Sequence, residues 1–529
     1  MTTSLRAWQE HALDSLSRWQ GGPFLISAAP GAGKTRPALE LARRLLAARR
    51  ATRVAVLCPT TPLTRQWAAA AGRLGLHLVP DARSPRPPAD FQGFAVTYAR
   101  IASDPVRWAK GVSPGTLVIA DEAHHLGEDL AWGHGFALAF RDTPLWLLLS
   151  GTPFRSDATP IPGVRYDRGG FAMPDVSYEY ADAVRDRVCR PVGFITYDGT
   201  LSWRSGDDLI ESSFADVLST REAGRRYRTA ISTELPDGLA RILGEADGKL
   251  GELRSGEHPG AGGLVIAADG AHARRLARLL HERTGRVPVV VLHSDAQAAR
   301  KLAGFAASTD PWIVAVNMVS EGVDIPRLRV GVYASAAKTP LIFRQIVGRF
   351  VRTSPGREPS PSWLYLPADP GLCAHAQAIE SELRQALRDR APGGELEETE
   401  PRRVAEPGET SAFVPQSADV SPQMTLFGGP DPGRVTRLGG IGARATPAPA
   451  PAPAPPSSFE RRAALREERH RLVSEVRRVG GGTHREINAW VNRTLELRTV
   501  EEATIDQLER SVELLVGRLT GRRPARTTG

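Results

Sequence analysis

Residues 24–35 read FLISAAPGAGKT, a short apolar run followed by a glycine-rich turn that ends in lysine and threonine. Gly31 and Gly33 allow backbone N–H groups to approach phosphate oxygens closely. A helix that begins near Lys34 would present its positive end, Lys34 would reach the β- and γ-phosphates, and the Thr35 hydroxyl would ligate Mg²⁺. The strict pattern has glycine at position 28, where this chain has alanine. The stretch predicts a nucleotide-binding loop, and its flanking strand and helix disfavour a chance glycine-rich turn.

Around this loop, short apolar runs alternate with helical patterns up to about residue 155. The runs lack strict polar alternation, which is typical of strands buried on both faces of a parallel sheet. Strands that alternate with helices predict a doubly wound α/β domain. The predicted strands are Phe24–Ala28, Val54–Leu57, Phe94–Tyr98, Leu117–Ala120 and Leu145–Leu149, and the predicted helices include Thr35–Arg50 and Leu63–Leu74.

The same alternation returns after residue 260 and predicts a second α/β lobe. Its predicted strands are Leu264–Ala267, Val287–Leu292, Trp312–Val316, Val330–Tyr333 and Trp363–Leu366, and its predicted helices are Ala271–Arg283, Ala296–Ala306 and Thr339–Val351. We therefore predict lobe 1 at residues 1–155, an inter-lobe connector at 156–260, lobe 2 at 261–390, a linker at 391–456 and a helical segment at 457–529. Within the connector, the pattern is weak and suggests a strand at Val192–Tyr197 and a helix at Ser219–Leu235.

The linker is rich in Pro, Gly, Glu and Ala, and it ends in the Pro/Ala run Pro447–Pro456. This composition favours a semi-rigid, largely disordered spacer. The last segment is predicted to be helical, because the capping boxes Thr483–Glu486 and Thr499–Glu502 each precede apolar periodicity. One helix face carries an apolar stripe, formed by Ile505, Leu508, Val512, Leu515 and Leu519. A small helical bundle that buries this stripe is favoured over a groove for a protein partner.

The chain has 529 residues and a formal net charge of +9. A basic balance fits a polyanionic partner such as nucleic acid, although an arginine-rich composition alone is the alternative. The cysteines Cys58, Cys189 and Cys373 lie far apart without metal-ligand spacing, which favours a reducing cytoplasm over a disulfide framework. We expect no signal peptide and no membrane partner, because the start has no apolar h-region and no apolar run would span a bilayer.

Two adjacent carboxylates, Asp121 and Glu122, directly follow the predicted strand Leu117–Ala120. Open α/β sheets bind ligands at the carboxyl ends of their strands. Asp121 is predicted to hold Mg²⁺ through water, and Glu122 to orient and deprotonate the attacking water. Considered alone, a solvated acidic turn would be an equal alternative, but Lys34 upstream favours phosphoryl transfer.

A polar helix face is predicted in the second lobe. On a helix, Gln345, Arg349 and Arg352 follow i, i+4, i+7 spacing, so they would share one face. Two guanidinium groups on this face suit a γ-phosphate during transfer. A basic solvated helix face is the alternative. The apolar residues that point elsewhere and can pack into the lobe are Ile346, Val347 and Phe350.

Together these residues resemble superfamily 2 helicases, in the branch of XPB-like and type III restriction-like proteins. The resemblance covers roughly residues 5–370 and implies two RecA-like parallel-sheet lobes in tandem. Its matching motifs follow in order at Leu5–Gln9 (adenine recognition), Leu57–Thr60 with Leu63, Gln66 and Trp67 (Ia), Val96–Tyr98 (Ib), Asp121–His124 (II), Ser150–Arg155 (III), Val319–Pro326 (V) and Gln345–Arg352 (VI).

The resemblance also implies roles for single residues. Gln9 would read adenine, and Gly322 with Asp324 would lie near the nucleotide ribose. Arg349 and Arg352, together with Gln345, would reach the γ-phosphate across the cleft between the lobes. Motif III would couple ATP hydrolysis to binding of the nucleic-acid strand through Ser150 and Thr152. His124 is a plausible link between the two sites, and a helix-start histidine without chemistry is its alternative. Backbone contacts to nucleic acid are expected at Pro59, Thr60, Thr97 and Ser320.

The expected function is an ATP-dependent helicase or translocase with Mg²⁺. DNA is preferred over RNA because the motif III form at Ser150–Arg155 resembles that of DNA-acting relatives. A rival is an ATP-gated scaffold that clamps duplex nucleic acid in a repair or defence complex, in which the C-terminal helices would bind a protein partner. A restriction-type enzyme with its own nuclease is disfavoured, because no Asp/Glu-x-Lys cluster follows a convincing strand outside the motor.

Overall fold

In a computed structural model of the chain, the described residues form two compact units. Described are residues 4–151, 160–168, 170–205, 208–235, 237–256, 258–292, 294–295, 297–316, 325–353, 360–388, 414–423, 458–480 and 482–520. The first unit contains Met1–Ile26, Lys34–Val176 and Arg437–Gly529, and the second contains Ser27–Gly33 and Ser177–Thr436. Each unit is built on a largely parallel sheet flanked by helices, so the predicted tandem of α/β lobes is confirmed.

The first sheet follows the predicted strands and adds two short ones. Its strands are β1 (Gly22–Ala28), β2 (Arg53–Cys58), β3 (Leu78–Val79), β4 (Gly93–Thr97), β5 (Thr116–Asp121), β6 (Leu145–Ser150) and β7 (Val176–Tyr178). Among the described residues their order is β3-β4-β2-β5-β6-β1-β7. β2 pairs in parallel with β4 and β5, and β5 pairs in parallel with β6. β2 and β5 are almost completely buried, which explains why their sequences read as apolar runs.

Helices flank this sheet, and side-chain caps fix where several of them begin. They are α1 (Ala7–Ser17), α2 (Thr35–Ala47), α3 (Thr61–Gly72), α4 (Tyr98–Ser103), α5 (Pro105–Gly111), α6 (His125–Glu128) and α7 (Leu130–Ala139). Thr97 Oγ1 accepts the Arg100 N–H at the start of α4, and Asp104 Oδ1 accepts the Arg107 N–H at the start of α5. Behind these caps lies a core of aromatic and aliphatic side chains that includes Phe94, Tyr98, Trp108, Phe136 and Phe140.

The second unit contains the second sheet. Its elements are α8 (Tyr180–Arg185), β8 (Val192–Ser205), β9 (Asp208–Ser212), α9 (Thr220–Ala230), α10 (Leu239–Ser255), β10 (Gly262–Ala267), α11 (Gly270–Thr284), β11 (Val289–Val291), α12 (Ala298–Ala307), β12 (Trp312–Val316), β13 (Leu328–Ala334), α13 (Pro340–Phe350), β14 (Ser362–Pro367), α14 (Pro370–Arg388) and β15 (Val414–Gln423). Among the described residues the sheet order is β11-β12-β10-β13-β14-β8-β15, and β9 pairs with β8. All pairs are parallel except those that β8 forms with β9 and β15.

Two predicted boundaries differ from this structure. Much of the expected connector at 156–260 belongs to the second unit, because β8 pairs in parallel with β14 over Val192–Tyr197 and α10 packs beside β13. The expected linker at 391–456 contains β15, which pairs antiparallel with β8. Local composition did not indicate either pairing, because each partner strand lies far away in sequence.

The C-terminal segment forms the predicted small helical bundle, with α15 (Ser458–Gly480), α16 (His484–Thr494) and α17 (Ile505–Thr520). Thr483 caps α16 in a capping box with Glu486, as predicted. The Thr499 hydroxyl accepts the Glu502 N–H, which is one half of the second predicted capping box, but Thr504 and Gln507 cap the start of α17. The apolar stripe of α17 packs into a shared core, whose buried members are Leu472, Val473, Val476, Ile487, Val491 and Leu515.

These helices also contact the α/β part of the first unit. Ser458 Oγ lies 2.7 Å from His77 Nδ1, and the Ile505 N–H donates to Asp90 Oδ2 at 2.9 Å. The guanidinium of Arg462 stacks 5.6 Å from the ring centre of Phe91. In the described part of the chain, no helix has the length and apolar character to cross a membrane.

A substitution at Gly93, the first residue of β4, tests the packing of the first sheet. A Cβ on Gly93 would lie 1.9 Å from the carbonyl oxygen of Val54 in β2. Gly93→Ala should therefore lower the free energy of unfolding by about 1–3 kcal/mol, because the backbone of a buried strand must move. Gly72→Ala is the matched control, since its Cβ would meet nothing within 4 Å. Urea unfolding of both variants makes the comparison, and equal stabilities would contradict the strand register.

Candidate functional site

The glycine-rich loop joins β1 to α2 and adopts the backbone conformation that its glycines permit. Gly31 has φ +83° and Gly33 has φ +90°, a left-handed region that residues with side chains rarely adopt. Lys34 precedes the first residue of α2, Thr35, and its side chain is buried. The loop therefore ends at the positive end of a 13-residue helix, as an anion-binding loop requires.

The predicted acidic pair lies at the carboxyl end of β5. Asp121 is the last residue of the strand and is buried. Glu122 follows with φ +50°, a left-handed conformation that costs a residue with a side chain about 1–2 kcal/mol. This turn brings Glu122 Oε1 to 3.4 Å from Lys34 Nζ. The first unit thus brings together the lysine and the two carboxylates that the sequence predicted.

The Asp121 carboxylate and its peptide group are held from three directions. Trp67 Nε1 of α3 donates to Asp121 Oδ2 at 2.7 Å, and the Glu122 N–H donates to Asp121 Oδ1 at 3.1 Å. The hydroxyl of Tyr98 donates to the Asp121 backbone carbonyl at 2.7 Å. Sequence reasoning placed Trp67 and Tyr98 in motifs Ia and Ib but missed these contacts, for which no local sequence signal exists.

The charges at this site act in opposite directions on its two carboxyl groups. Burial, with the nearby Glu122, raises the pKa of Asp121, and Lys34 and the Trp67 hydrogen bond oppose this rise. Burial also acts to raise the pKa of Glu122, but Lys34, His124 and His125 outweigh it and hold this pKa below its usual value. Glu122 is therefore ionised near neutral pH and can accept a proton or orient a water.

A polar chain runs from Glu122 to the end of β6. His124 Nδ1 lies 2.9 Å from Ser150 Oγ and 3.5 Å from Glu122 Oε2. His124 and Ser150 are buried, so their side chains have little alternative contact with water. The structure thus brings together two of the three residues predicted to couple hydrolysis to strand grip.

The residues expected to contact nucleic acid follow β2 and β4. Pro59 is buried, and Thr60 precedes the first residue of α3. The hydroxyl of Thr60 is buried and has no hydrogen-bond partner among the described residues. Thr97 ends β4, where its Oγ1 caps α4. In the parallel sheet Cys58 is paired with Thr97, so the segments that follow β2 and β4 begin side by side at the same edge of the sheet.

Gln9 lies on α1, which packs beside α2. Its Oε1 accepts the N–H of Arg6 at 3.0 Å, so this oxygen also stabilises the start of α1. The side chain is 5 % exposed. An adenine amino group that donates to this oxygen would therefore compete with the Arg6 N–H for it, or both groups would donate to the same oxygen.

In the second unit, the predicted polar helix ends earlier than expected. Gln345 and Arg349 lie on α13, but this helix ends at Phe350. The backbone of Arg352 pairs with that of Cys189 in a single antiparallel β-type pairing instead. The prediction of one helix face for all three residues is therefore wrong, because residues 351–353 hydrogen-bond to residues 188–190. The predicted inward packing is confirmed for Ile346, Val347 and Phe350.

Arg352 also lies beside the glycine-rich loop within the second unit. A Cβ on Gly31 would lie 3.2 Å from Arg352 Cγ and 3.7 Å from Cys189 Sγ. The Cys189 thiol in turn donates to the carbonyl oxygen of Pro30 at 3.5 Å. Arg349 and Arg352 both line one small cleft, in which Ala315 and Ile325 are among the other wall residues. Thr152, Ser320, Gly322 and Asp324 lie outside the described residues.

Comparisons with known proteins agree with these features. The family described as "Type III restriction enzyme, res subunit" matches residues 2–80, and the "Helicase conserved C-terminal domain" matches residues 250–354. The uncharacterized protein Rv2917 of Mycobacterium tuberculosis is 39 % identical over 452 residues, which cover 82 % of this chain and 74 % of that protein.

Solved structures with lower similarity were also found. The ATP-dependent type ISP restriction-modification enzyme LlaBIII bound to DNA is 15 % identical with a TM-score of 0.48, and the match covers 73 % of this chain. This chain spans 30 % of the length of that enzyme. Dbp5 of S. cerevisiae bound to RNA and ADP BeF3 is 16 % identical with a TM-score of 0.47, over 72 % of this chain and 88 % of that one.

The buried contact between His124 and Ser150 can be measured. A double-mutant cycle of His124→Ala and Ser150→Ala should give an interaction energy of about 0.5–1.5 kcal/mol, because each single variant already removes their mutual hydrogen bond. Ser335→Ala is the control, since this buried serine belongs to the second unit and should add to His124→Ala without coupling. Thermal or urea unfolding gives the energies, and full additivity of the first pair would show that the two residues do not interact.

Proposed function

We propose that this chain, which belongs to helicase superfamily 2 in its type III restriction-like branch, hydrolyses ATP to move along DNA. The observation that carries the proposal is the 3.4 Å approach of Lys34 Nζ to Glu122 Oε1. These residues come from segments 88 positions apart, and the fold brings the lysine proposed to bind phosphate beside an ionised carboxylate. This is the pair that phosphoryl transfer to water requires.

The residues at the glycine-rich loop fit a nucleotide with Mg²⁺. The left-handed glycines shape the loop, and Thr35 begins α2, so hydroxyl and backbone N–H groups lie at one helix end. Thr35 and Asp121 would hold the metal together with phosphate oxygens and water, since Mg²⁺ in such sites takes one or two carboxylates. Bound Mg²⁺ would neutralise charge on the phosphates. Within the described residues no cluster of three His, Cys, Asp or Glu side chains suggests another metal site.

The chain's own groups would then divide the work. Lys34, which pairs with Glu122 here, would exchange that partner for the β- and γ-phosphates. Glu122, freed from Lys34, would orient the attacking water and accept its proton. Arg349 and Arg352 would stabilise the charge on the γ-phosphate. The position of Arg352 beside Gly31 supports this role.

The remaining predicted residues complete the proposal. Gln9 would read adenine, and Gly322 and Asp324 would contact the ribose. Ser150 and His124, with Thr152, would couple the state of the bound nucleotide to binding of the nucleic-acid strand. The His124–Ser150 contact of 2.9 Å supports this route.

DNA is the nucleic acid along which we propose that the protein moves. The residues proposed to contact the DNA backbone are Pro59, Thr60, Thr97 and Ser320. The form of motif III at Ser150–Arg155 resembles that of DNA-acting relatives, and the net charge of +9 favours a polyanion. Contacts to backbone phosphate would give weak sequence preference. The three separated cysteines fit a cytoplasmic location.

The catalytic assignment predicts the behaviour of two single variants. Lys34→Ala and Glu122→Gln should each lower ATP turnover by about 10²–10⁴-fold, because one removes phosphate charge stabilisation and the other removes the base. Steady-state turnover with and without DNA measures this. Lys110→Ala is the control, because this exposed lysine lies on α5 of the same unit. Turnover close to wild type in either active-site variant would overturn the assignment.

The nucleic-acid assignment predicts which polymer stimulates turnover. Duplex or single-stranded DNA should stimulate ATP hydrolysis more than RNA of equal length, and stimulation should weaken as salt rises. Strand-displacement and translocation assays on the same DNA separate a motor from the rival scaffold. A protein that binds duplex in an ATP-dependent way but neither displaces a strand nor moves would favour the scaffold.

A further inference from the structure

Two hydrogen bonds connect the proposed DNA-contacting segments to the proposed metal-holding residue. Trp67 Nε1 donates to Asp121 Oδ2, and the Tyr98 hydroxyl donates to the Asp121 carbonyl oxygen, both at 2.7 Å. Trp67, Tyr98 and Asp121 are 2 %, 1 % and 7 % exposed, so water competes little for these hydrogen bonds. Both contacts lie wholly within the first unit.

Each donor is rigidly attached to one proposed contact. Trp67 lies on α3, whose first residue follows Thr60, and a helix transmits displacement along its axis because its backbone is internally hydrogen-bonded. Tyr98 is the residue after Thr97 and begins α4. Its ring also stacks on Trp132, with ring centres 5.9 Å apart, which fixes the direction of the hydroxyl. A bound DNA strand that displaces either segment would therefore also displace Asp121 through these hydrogen bonds.

We propose that Trp67 and Tyr98 are positioning residues that set the Asp121 carboxylate for the metal and couple strand binding to metal–nucleotide binding. This inference rests on the proposed function, since it assumes that Asp121 holds Mg²⁺ and that the two segments contact DNA.

The physical basis is the orientation of one carboxylate. A buried carboxylate has about four lone-pair directions, and the indole N–H occupies one of those on Oδ2. That contact fixes the side-chain rotation, so the lone pairs that face the nucleotide keep their direction. The Tyr98 hydroxyl acts on the peptide group instead and holds the end of β5 in place. Such supporting hydrogen bonds typically change metal affinity by about 10–100-fold when they are removed.

Coupling follows from reciprocity. If DNA improves the position of Asp121, it must lower the Mg²⁺ concentration needed to bind nucleotide, and Mg²⁺–nucleotide must tighten DNA binding by the same factor. Loss of the Trp67 hydrogen bond should weaken both effects. A purely structural tryptophan would change stability without changing either.

The test uses the full chain with Trp67→Phe, which removes the N–H and keeps an apolar ring. Trp146→Phe is the matched control, since Trp146 Nε1 donates to Phe140 O and Thr143 Oγ1 in the same unit. Binding of a fluorescent ADP is titrated with Mg²⁺, without DNA and with saturating duplex DNA. Tyr98→Phe is the second variant, and it carries the test if Trp67→Phe does not fold. Thermal unfolding of every variant is measured in parallel.

For Trp67→Phe we expect the Mg²⁺ concentration at half-saturation to rise about tenfold. DNA should lower it by a smaller factor than in the wild type, and Tyr98→Phe should shift it in the same direction. Trp146→Phe should lose stability but keep the wild-type Mg²⁺ titration. A wild-type half-saturation or a wild-type DNA effect in Trp67→Phe would overturn the inference. Failure of the wild-type protein to bind nucleotide with Mg²⁺ would instead overturn the proposed function.

Discussion

The burial of the Asp121 carboxyl group at the end of β5 is the constraint on which the site depends. A buried carboxylate is costly unless hydrogen bonds and opposite charge compensate it. Trp67 and the Glu122 N–H supply the hydrogen bonds, and Lys34 supplies positive charge. The left-handed backbone at Glu122 belongs to the same arrangement, because it directs the second carboxylate to Lys34. Removing one member would leave a buried charge without compensation.

The sheet order explains why distant sequence motifs meet. Strands β4, β2, β5 and β6 are neighbours and pair in parallel, so their carboxyl ends share one edge of the sheet. The residues at or directly after those ends are Thr97, Pro59, Asp121 and Ser150. Thr97 and Pro59 are proposed to contact nucleic acid, Asp121 is proposed to hold the metal, and Ser150 is proposed to couple the two sites. Open parallel sheets bind ligands at this edge. The residues proposed for nucleotide chemistry and those proposed to contact nucleic acid are therefore neighbours on one sheet.

Much of this arrangement was predictable because it depends on local patterns. Fully buried strands read as apolar runs, and the glycine-rich loop has a fixed order of residues, so β2, β5 and the loop before Lys34 were anticipated. Strands stabilised by distant partners were not. β15 lies in a stretch whose composition favours a spacer, and its pairing with β8 depends on residues about 200 positions away. The contacts of Trp67 and Tyr98 with Asp121 were unpredictable for the same reason.

Differences of one or two residues also had chemical consequences. The i, i+4, i+7 spacing treated Arg352 as helical like Arg349, but the helix ends at Phe350 and Arg352 pairs with Cys189. Arg352 consequently lies beside Gly31, a position that helical spacing did not suggest. Before α17, the Thr499 hydroxyl accepts the Glu502 N–H as predicted, but the helix begins only after Thr504, whose hydroxyl accepts the Gln507 N–H.

Lys34, Thr35 and Asp121 are the residues proposed to hold a metal–nucleotide complex. A crystal structure of the full chain with Mg²⁺ and a non-hydrolysable ATP analogue tests this assignment most directly. We predict a metal about 2.1 Å from Thr35 Oγ1, with Asp121 bound to one of its waters and Lys34 shifted from Glu122 to the phosphates. Phosphates bound elsewhere, with the Lys34–Glu122 ion pair intact, would show that these residues do not form the nucleotide site.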